Sequence, residues 1–504
     1  MRASAVAWSV IVRGPTGQLS EIAAQITPGL NSTTASGPSG HQPYAGIDRV
    51  RAAVAGGGWA WPSGRVTLTI SPSASSVIEG MHDLALAVAV LAATATAPAQ
   101  RLAEVVLLGE LAPDGRLRPV RAILPAVLAA REGGRTVVIV PRANLAEAAL
   151  APGMTVLGAE HLGAVLAWLG GADRSLTGSA AVAVRPEFTG VELGDVRGHY
   201  RARWALEVAA AGGHHLRLIG PPSAGLGALA RRLPGLLPRL TETESLAVRA
   251  ITSLAGTLPA GPLAPITGRP YVEVHHSASA RALLGSAASG RPGALARAHL
   301  GVLHLESYPD LHDRTIEALR SPLDDGEVVV ANRDSLLRLP CDTIAVLTSA
   351  ECLCHAARDT ACACPPAAKH RYRERLRRVL AERADITVHD NPDDRGGFGD
   401  DSRESTAEVR HRVTAARAAA ARRWREHGYT TNARVPASLL RQHFPLTPSQ
   451  AAPLEAALRL GRITRRGADR TLAVAATIAD LRGADRPSTH DIVEALHLRG
   501  SGTP

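Results

Sequence analysis

The stretch HLRLIGPPSAGLGALA, residues 215–230, constrains this chain more than any other part of it. A short apolar run, a turn rich in Gly and Pro, and an apolar-striped segment read as strand, tight loop and helix, the order in which a chain wraps phosphate. Gly220 and Gly225 hold the spacing of such a loop, so Gly220, Pro221, Pro222, Ser223, Ala224, Gly225, Leu226 and Gly227 form the candidate cofactor-binding segment. In the full pattern a Lys follows the second Gly to reach the β and γ phosphates, and a Ser or Thr after it holds Mg²⁺. Here those positions carry Leu226 and Gly227. Backbone N–H groups at the helix start still suit an anion, but the cation that draws in a triphosphate is missing. The other reading is a Gly-rich turn that merely connects a strand to a helix.

A unit of this kind needs a parallel sheet around it. Apolar runs at residues 215–219, 301–305 and 343–347 alternate with helical stretches and predict a doubly wound core over residues 190–392. Residues 1–172 read as a separate α/β unit, with strands at 5–12, 65–71 and 136–140, a helix from Leu84 and a last helix ending at Gly170 and Gly171. Small residues make 173–189 a linker, and the acidic, Gly-rich stretch 391–401 is a second one. Residues 393–504 read as helical. Ser405 and Glu408 form a capping box, Val409, Val413 and Ala416 an apolar stripe, and Gly428 a C-terminal cap.

The chain's 504 residues carry 56 Lys plus Arg against 46 Asp plus Glu, a formal charge of +10. That balance suits a polyanionic partner, although Arg outnumbering Lys in an Ala-rich chain points to a compositional bias that inflates it. The longest apolar run, residues 84–95, is far shorter than the roughly 20 residues a bilayer span needs. Residues 1–14 alternate like a strand and lack the features of a signal peptide. The expectation is a cytoplasmic protein with no membrane partner.

Further segments stand in the order found in the magnesium-chelatase-like AAA+ family of the YifB/ComM type. EVAAAGGHHLRLIGPP, RLPGLLPRLTETESL, HHSAS, RPGALARAHLGVLHLE and IEALRSPLDDGEV resemble the approach to the phosphate loop, the following helix, the insert, the second strand and its helix. GIDRVRAAV, EGMHDLALAVAVLAA and LLGELAPDGRLRPVRAILPAVLAA resemble the family's first domain. The resemblance implies an N-terminal Lon-protease-like domain of the ribosomal S5 domain 2 type, an AAA+ core and a C-terminal helical lid. It also implies ATP with Mg²⁺ as cofactor, DNA as partner and a ring of identical chains.

The family's second strand ends in Asp-Glu, where this chain has Glu306 and Ser307, and Ala350 stands where an Asn should position water. A serine hydroxyl is no base near neutral pH. Arg383 matches the arginine inserted into a neighbouring subunit's site, and Arg466 the lid arginine; both would meet γ-phosphate charge, unless they are two surface arginines among many. The resemblance therefore implies a degenerate member in which ATP and Mg²⁺ binding is weak or lost. Such a chain would be a pseudo-ATPase acting as scaffold or regulatory subunit in DNA recombination, in its own ring or beside an active AAA+ chain. The alternative is a working ATP-dependent DNA translocase that recruits Arg231 or Arg232 in place of the lysine. Magnesium insertion into a porphyrin rests on fold analogy alone.

Cys352, Cys354, Cys362 and Cys364 form two C-x-C pairs, which suit tetrahedral Zn²⁺ or remain a reduced loop without metal; Cys341 stands apart as a core residue. His355, His370, His275 and His276 read as surface or packing residues. In the first domain the Ser–Lys pair of a peptidase maps to His82 and Leu124, which argues against peptide hydrolysis. Basic runs at 369–383 and 410–425 could track a nucleic-acid backbone or form solvated helix faces, and neither interleaves the aromatics that stack on bases.

Overall fold

In the computed structural model the described residues are 3–36, 44–72, 78, 80–98, 100–178, 191–221, 224–258, 263, 266–332, 336–354, 356, 362–376, 381–390 and 404–500. Most of both expected linkers, Pro222, Ser223 and His355 lie outside them.

The first unit is built on a mixed sheet of β1 (Ala3–Arg13), β2 (Thr16–Thr27), β3 (Ser32–Ser36), β4 (Arg65–Ser71), β5 (Val105–Leu107), β6 (Val137–Pro141), β7 (Thr155–Ala159) and β8 (Thr177–Gly178). Their spatial order is β8-β7-β6-β5-β1-β2-β4-β3. The central strand β1 is apolar on both sides because both faces are covered. Ala7 and Ile11 join the cluster around the Asp83–Ala93 helix, whereas Val10 and Val12 join the one around the Ile123–Glu132 helix. Ten of the eleven residues from Asp83 to Ala93 are buried, which fits a helix enclosed by protein. No described helix is long and apolar enough to cross a membrane.

The second unit is an all-parallel sheet of β9 (Leu216–Ile219), β10 (Tyr271–Val274), β11 (Val302–Leu305), β12 (Ile344–Ser349) and β13 (Ile386–His389), in the order β10-β11-β12-β9-β13. The Leu226–Leu236 helix follows β9, and the Tyr200–Gly212 helix precedes it. The two units share one apolar cluster, in which Leu124 and Val127 join Ile251, Leu254 and Leu303. At the seam Arg121 Nη1 donates to the Leu254 carbonyl at 2.9 Å, and Ala122 N to that of Ser253 at 3.1 Å.

The helices Thr406–Arg423, Ala437–His443, Pro448–Arg459, Arg465–Leu481 and Thr489–Leu498 complete the chain. Ser405 and Glu408 make the expected capping box, and Val409, Val413 and Ala416 are buried. Gly428 does sit in the left-handed region, but it ends a short 3₁₀ turn at Arg425–His427; the long helix already stops at Trp424, whose side chain is fully enclosed.

Candidate functional site

The loop after β9 leaves the sheet at its carboxyl edge, where open α/β sheets bind ligands. Gly220 N donates to the Ser349 carbonyl at 3.0 Å, tying the loop to the end of β12. A Cβ at Gly220 would stand 2.7 Å from that of Asp390, so only glycine fits there. Gly225 has φ 64°, a backbone conformation glycine adopts without cost. It begins the Leu226–Leu236 helix as its N-cap and, being glycine, has no side chain to cap that end.

Around the loop lies a cleft of about 560 Å³ whose opposite wall carries Glu273, Glu306, Ser307, Thr348, Ser349 and Ala350. The structure therefore brings Gly220, Pro221, Gly225, Leu226 and Gly227 together with Glu306, Ser307 and Ala350. Ala224 is adjacent and buried. Leu226 is only 7% exposed and packs into the cluster of Leu218, Leu229 and Val346. Its side chain is part of the core and offers the cleft no charge.

Sequence reading missed the polar groups beneath the loop. Parallel register sets Glu273 beside His304. The His304 ring pairs through Nδ1 with Tyr271 Oη and through Nε2 with Thr348 Oγ1, both at 2.8 Å. Burial lowers His304 to about 4, with Glu273 opposing and Arg231 assisting, so the ring is neutral near pH 7. Arg231 does reach the cleft, where Nη2 is held by Glu273 Oε2 at 2.8 Å. Arg232 donates to the carbonyls of Glu192 and Ala228 at 2.8 and 2.7 Å. The lining thus balances two arginines against two glutamates. Only β-sheet register reveals the Glu273–His304 pair.

Arg383 and Arg466 lie elsewhere. Both pair with Asp324, at 2.8 and 2.9 Å, beside a pocket of about 320 Å³ lined by His215, Asp385, Arg434 and Arg470. His215 precedes β9 and Gly220 follows it, so a strand's length, roughly 13 Å, separates this pocket from the phosphate-type loop. Asp385 anchors it: its carboxylate accepts from His214 Nδ1 and His215 N at 3.3 Å and takes Arg470 as ion partner.

Cys352, Cys354, Cys362 and Cys364 converge, with all four Sγ atoms within 4.8 Å of one another. Cys341 is fully buried, donates to the Pro322 carbonyl at 3.3 Å and is pushed up to about 12 by burial. His275, His276 and His370 are exposed, while in the first domain His82 is buried against Ser9 Oγ at 2.9 Å and Leu124 is in the core. The basic run from 410 is only in part a solvated face: Arg422 and Arg425 are exposed, but Arg412 pairs with Glu207 at 2.6 Å, Arg417 donates to the Ala210 carbonyl at 2.7 Å and Arg423 pairs with Asp480. The paired cations fasten the long helix to its neighbours, with their stems in the packing.

Comparison with known proteins places this geometry. The family models described as Magnesium chelatase, subunit ChlI, and its C-terminal part match residues 192–395 and 403–499, and Subunit ChlI of Mg-chelatase matches 22–144. The uncharacterized protein YifB of Escherichia coli is 33% identical over 90% of this chain and 88% of its own length. The chain belongs to the magnesium-chelatase-like AAA+ family. The competence protein ComM of Haemophilus influenzae is 30% identical over 90% of this chain and 89% of its own. An uncharacterized Mycobacterium tuberculosis protein is 45% identical over 98% of both. Magnesium-chelatase-like membership suggests nucleotide with Mg²⁺, but the cleft's residues do not fit that group: Leu226 is core, Gly227 has no hydroxyl, and Ser307 and Ala350 supply neither base nor amide.

Proposed function

We propose that this chain is a hydrolysis-impaired pseudo-ATPase that acts as a scaffold or regulatory subunit in DNA recombination or processing. The observation that carries the proposal is Leu226, at the lysine position, packed into the apolar core while the cleft's own charges cancel. Kinship with a protein named for competence supports the DNA setting. Arg383 and Arg466 both pair with Asp324 rather than with their own loop, which suits a role toward a neighbouring chain in a ring; Arg466 is exposed, whereas Arg383 is buried and would first have to leave Asp324.

A second reading, a working ATP-dependent translocase, draws on Arg231 at the cleft. Against it, Glu273 already neutralises that guanidinium. The deciding experiment is calorimetric Mg-ATP binding and steady-state hydrolysis, with and without branched DNA. The wild type is expected to show neither. A Leu226→Lys, Gly227→Thr variant should gain roughly 10–100-fold in Mg-ATP affinity, the worth of one charge-assisted contact. It should still not turn over, because Ser307 and Ala350 remain. DNA-stimulated hydrolysis by the wild type would sink the proposal and favour the translocase, and its loss in Arg231→Ala would identify the substitute cation.

A further inference from the structure

The four cysteines have a geometry the nucleotide cleft does not explain. Cys352 and Cys362 Sγ are 3.4 Å apart, Cys354 and Cys362 Sγ 3.5 Å apart, and no pair among the four exceeds 4.8 Å. Four thiolates about 2.3 Å from a tetrahedral ion stand roughly 3.8 Å from one another, so closing this cluster on a metal needs shifts of about 1 Å at most. Thiolate sulfurs select a soft ion over Mg²⁺ or Ca²⁺. A four-cysteine set leaves no open coordination position, which marks a structural site.

We propose that this cluster is a zinc site and that its metal fixes the far wall of the cleft. Cys352 is buried and follows Ala350 by two residues, and the helix Pro366–Leu376 starts two residues after Cys364. Tyr372 Oη, on that helix, donates to the Ala350 carbonyl at 3.3 Å. Its last residue, Leu376, accepts through its carbonyl from Tyr308 Oη at 2.8 Å and from Arg217 Nη1 at 3.1 Å. Tyr308 directly follows Glu306 and Ser307, and Arg217 lies on β9. One short helix thus braces the ends of β11 and β12 together with β9, and the cysteine loop joins that helix to β12. Zinc closes this loop, each bound thiol surrendering its proton to solvent.

The site is independent of nucleotide, so its test is read on the nucleotide-free full-length chain. Metal analysis of protein purified without chelator is expected to find about one zinc per chain. Cobalt exchanged into the site should show thiolate charge-transfer bands and the absorption of a tetrahedral ion. Replacing the exposed ligand in Cys354→Ser should weaken zinc binding by about 100-fold or more. Removing the metal should speed amide hydrogen exchange in residues 344–354 and 366–376 and leave the first domain unchanged. A chain that binds neither zinc nor cobalt overturns the site, and iron in its place overturns the zinc assignment. Metal binding without altered exchange in those two segments overturns the bracing role.

Discussion

Asp385→Ala is expected to cost about 3–5 kcal/mol of stability, the usual result of removing one partner from a buried ion pair. Asp385 is 5% exposed and sits just before β13, where its carboxylate meets Arg470 from the Arg465–Leu481 helix, His214 Nδ1 and the His215 N–H. Truncation leaves a guanidinium without its nearer counter-charge and strands two donors. His214 Nε2 also pairs with Thr477 Oγ1 at 2.9 Å, and Thr477 accepts from Asn432 Nδ2 at 3.0 Å. The damage should therefore spread into the C-terminal helices. Urea unfolding measures the total, and hydrogen exchange across residues 465–481 locates it. Burial alone would raise the Asp385 carboxyl, but Arg470 and His214 outweigh it and hold it well below the ordinary carboxylate range. Its contribution is complete above the unfolded value near 4 and is lost as pH falls further. An Asp385→Ala variant within about 0.5 kcal/mol of wild type at pH 7 would show that the cluster contributes nothing.

That hub explains what a sequence can and cannot convey here. The phosphate-type loop was legible because its signals are local: glycine spacing, a short strand apolar at all but Arg217 and a helix start occupy one continuous stretch. The Ser405 capping box was legible for the same reason. Arg383 and Arg466 were recognisable as arginines in their places, but no local pattern says that Asp324 receives both. Their distance from the loop follows from strand direction, which only the assembled sheet defines. The Glu273–His304 pair likewise exists through the β10–β11 register. In the first domain β2 escaped notice although Gly14, with φ 63°, turns the chain straight back along β1. The arginines from 410 onward looked like a charged surface because composition does not reveal which face of a helix packs. Arg417, buried enough to fall to about 10, lies on the packed face.

Three buried histidines should make the fold acid-labile well above the carboxylate range. His82, His215 and His304 are each lowered to about 4, burial being the first cause in all three. In the unfolded chain each takes up a proton below about pH 6.5, whereas the folded chain keeps them neutral, so stability falls as pH drops from 6.5 towards 4. A shift of this size is worth roughly 3 kcal/mol per group at most. His215 has a specific reason to stay neutral, since its Nδ1 accepts from Ala345 N at 3.1 Å. Asp83 and Glu147 work in the opposite sense, because burial raises both and folding then favours their protonated forms. His82 gives the cleanest test: Ser9 Oγ meets its Nδ1 at 2.9 Å, and its buried Nε2 has no partner among the described residues. A Ser9→Ala, His82→Leu variant removes both polar groups at once, which leaves no donor stranded. Between pH 7.5 and 4.5 the wild type should lose about 2–3 kcal/mol more than this variant by urea unfolding. Carboxylates and cysteines are common to both chains and cancel in the difference. Equal losses would mean that the His82 ring takes its proton without unfolding, through water reaching Nε2.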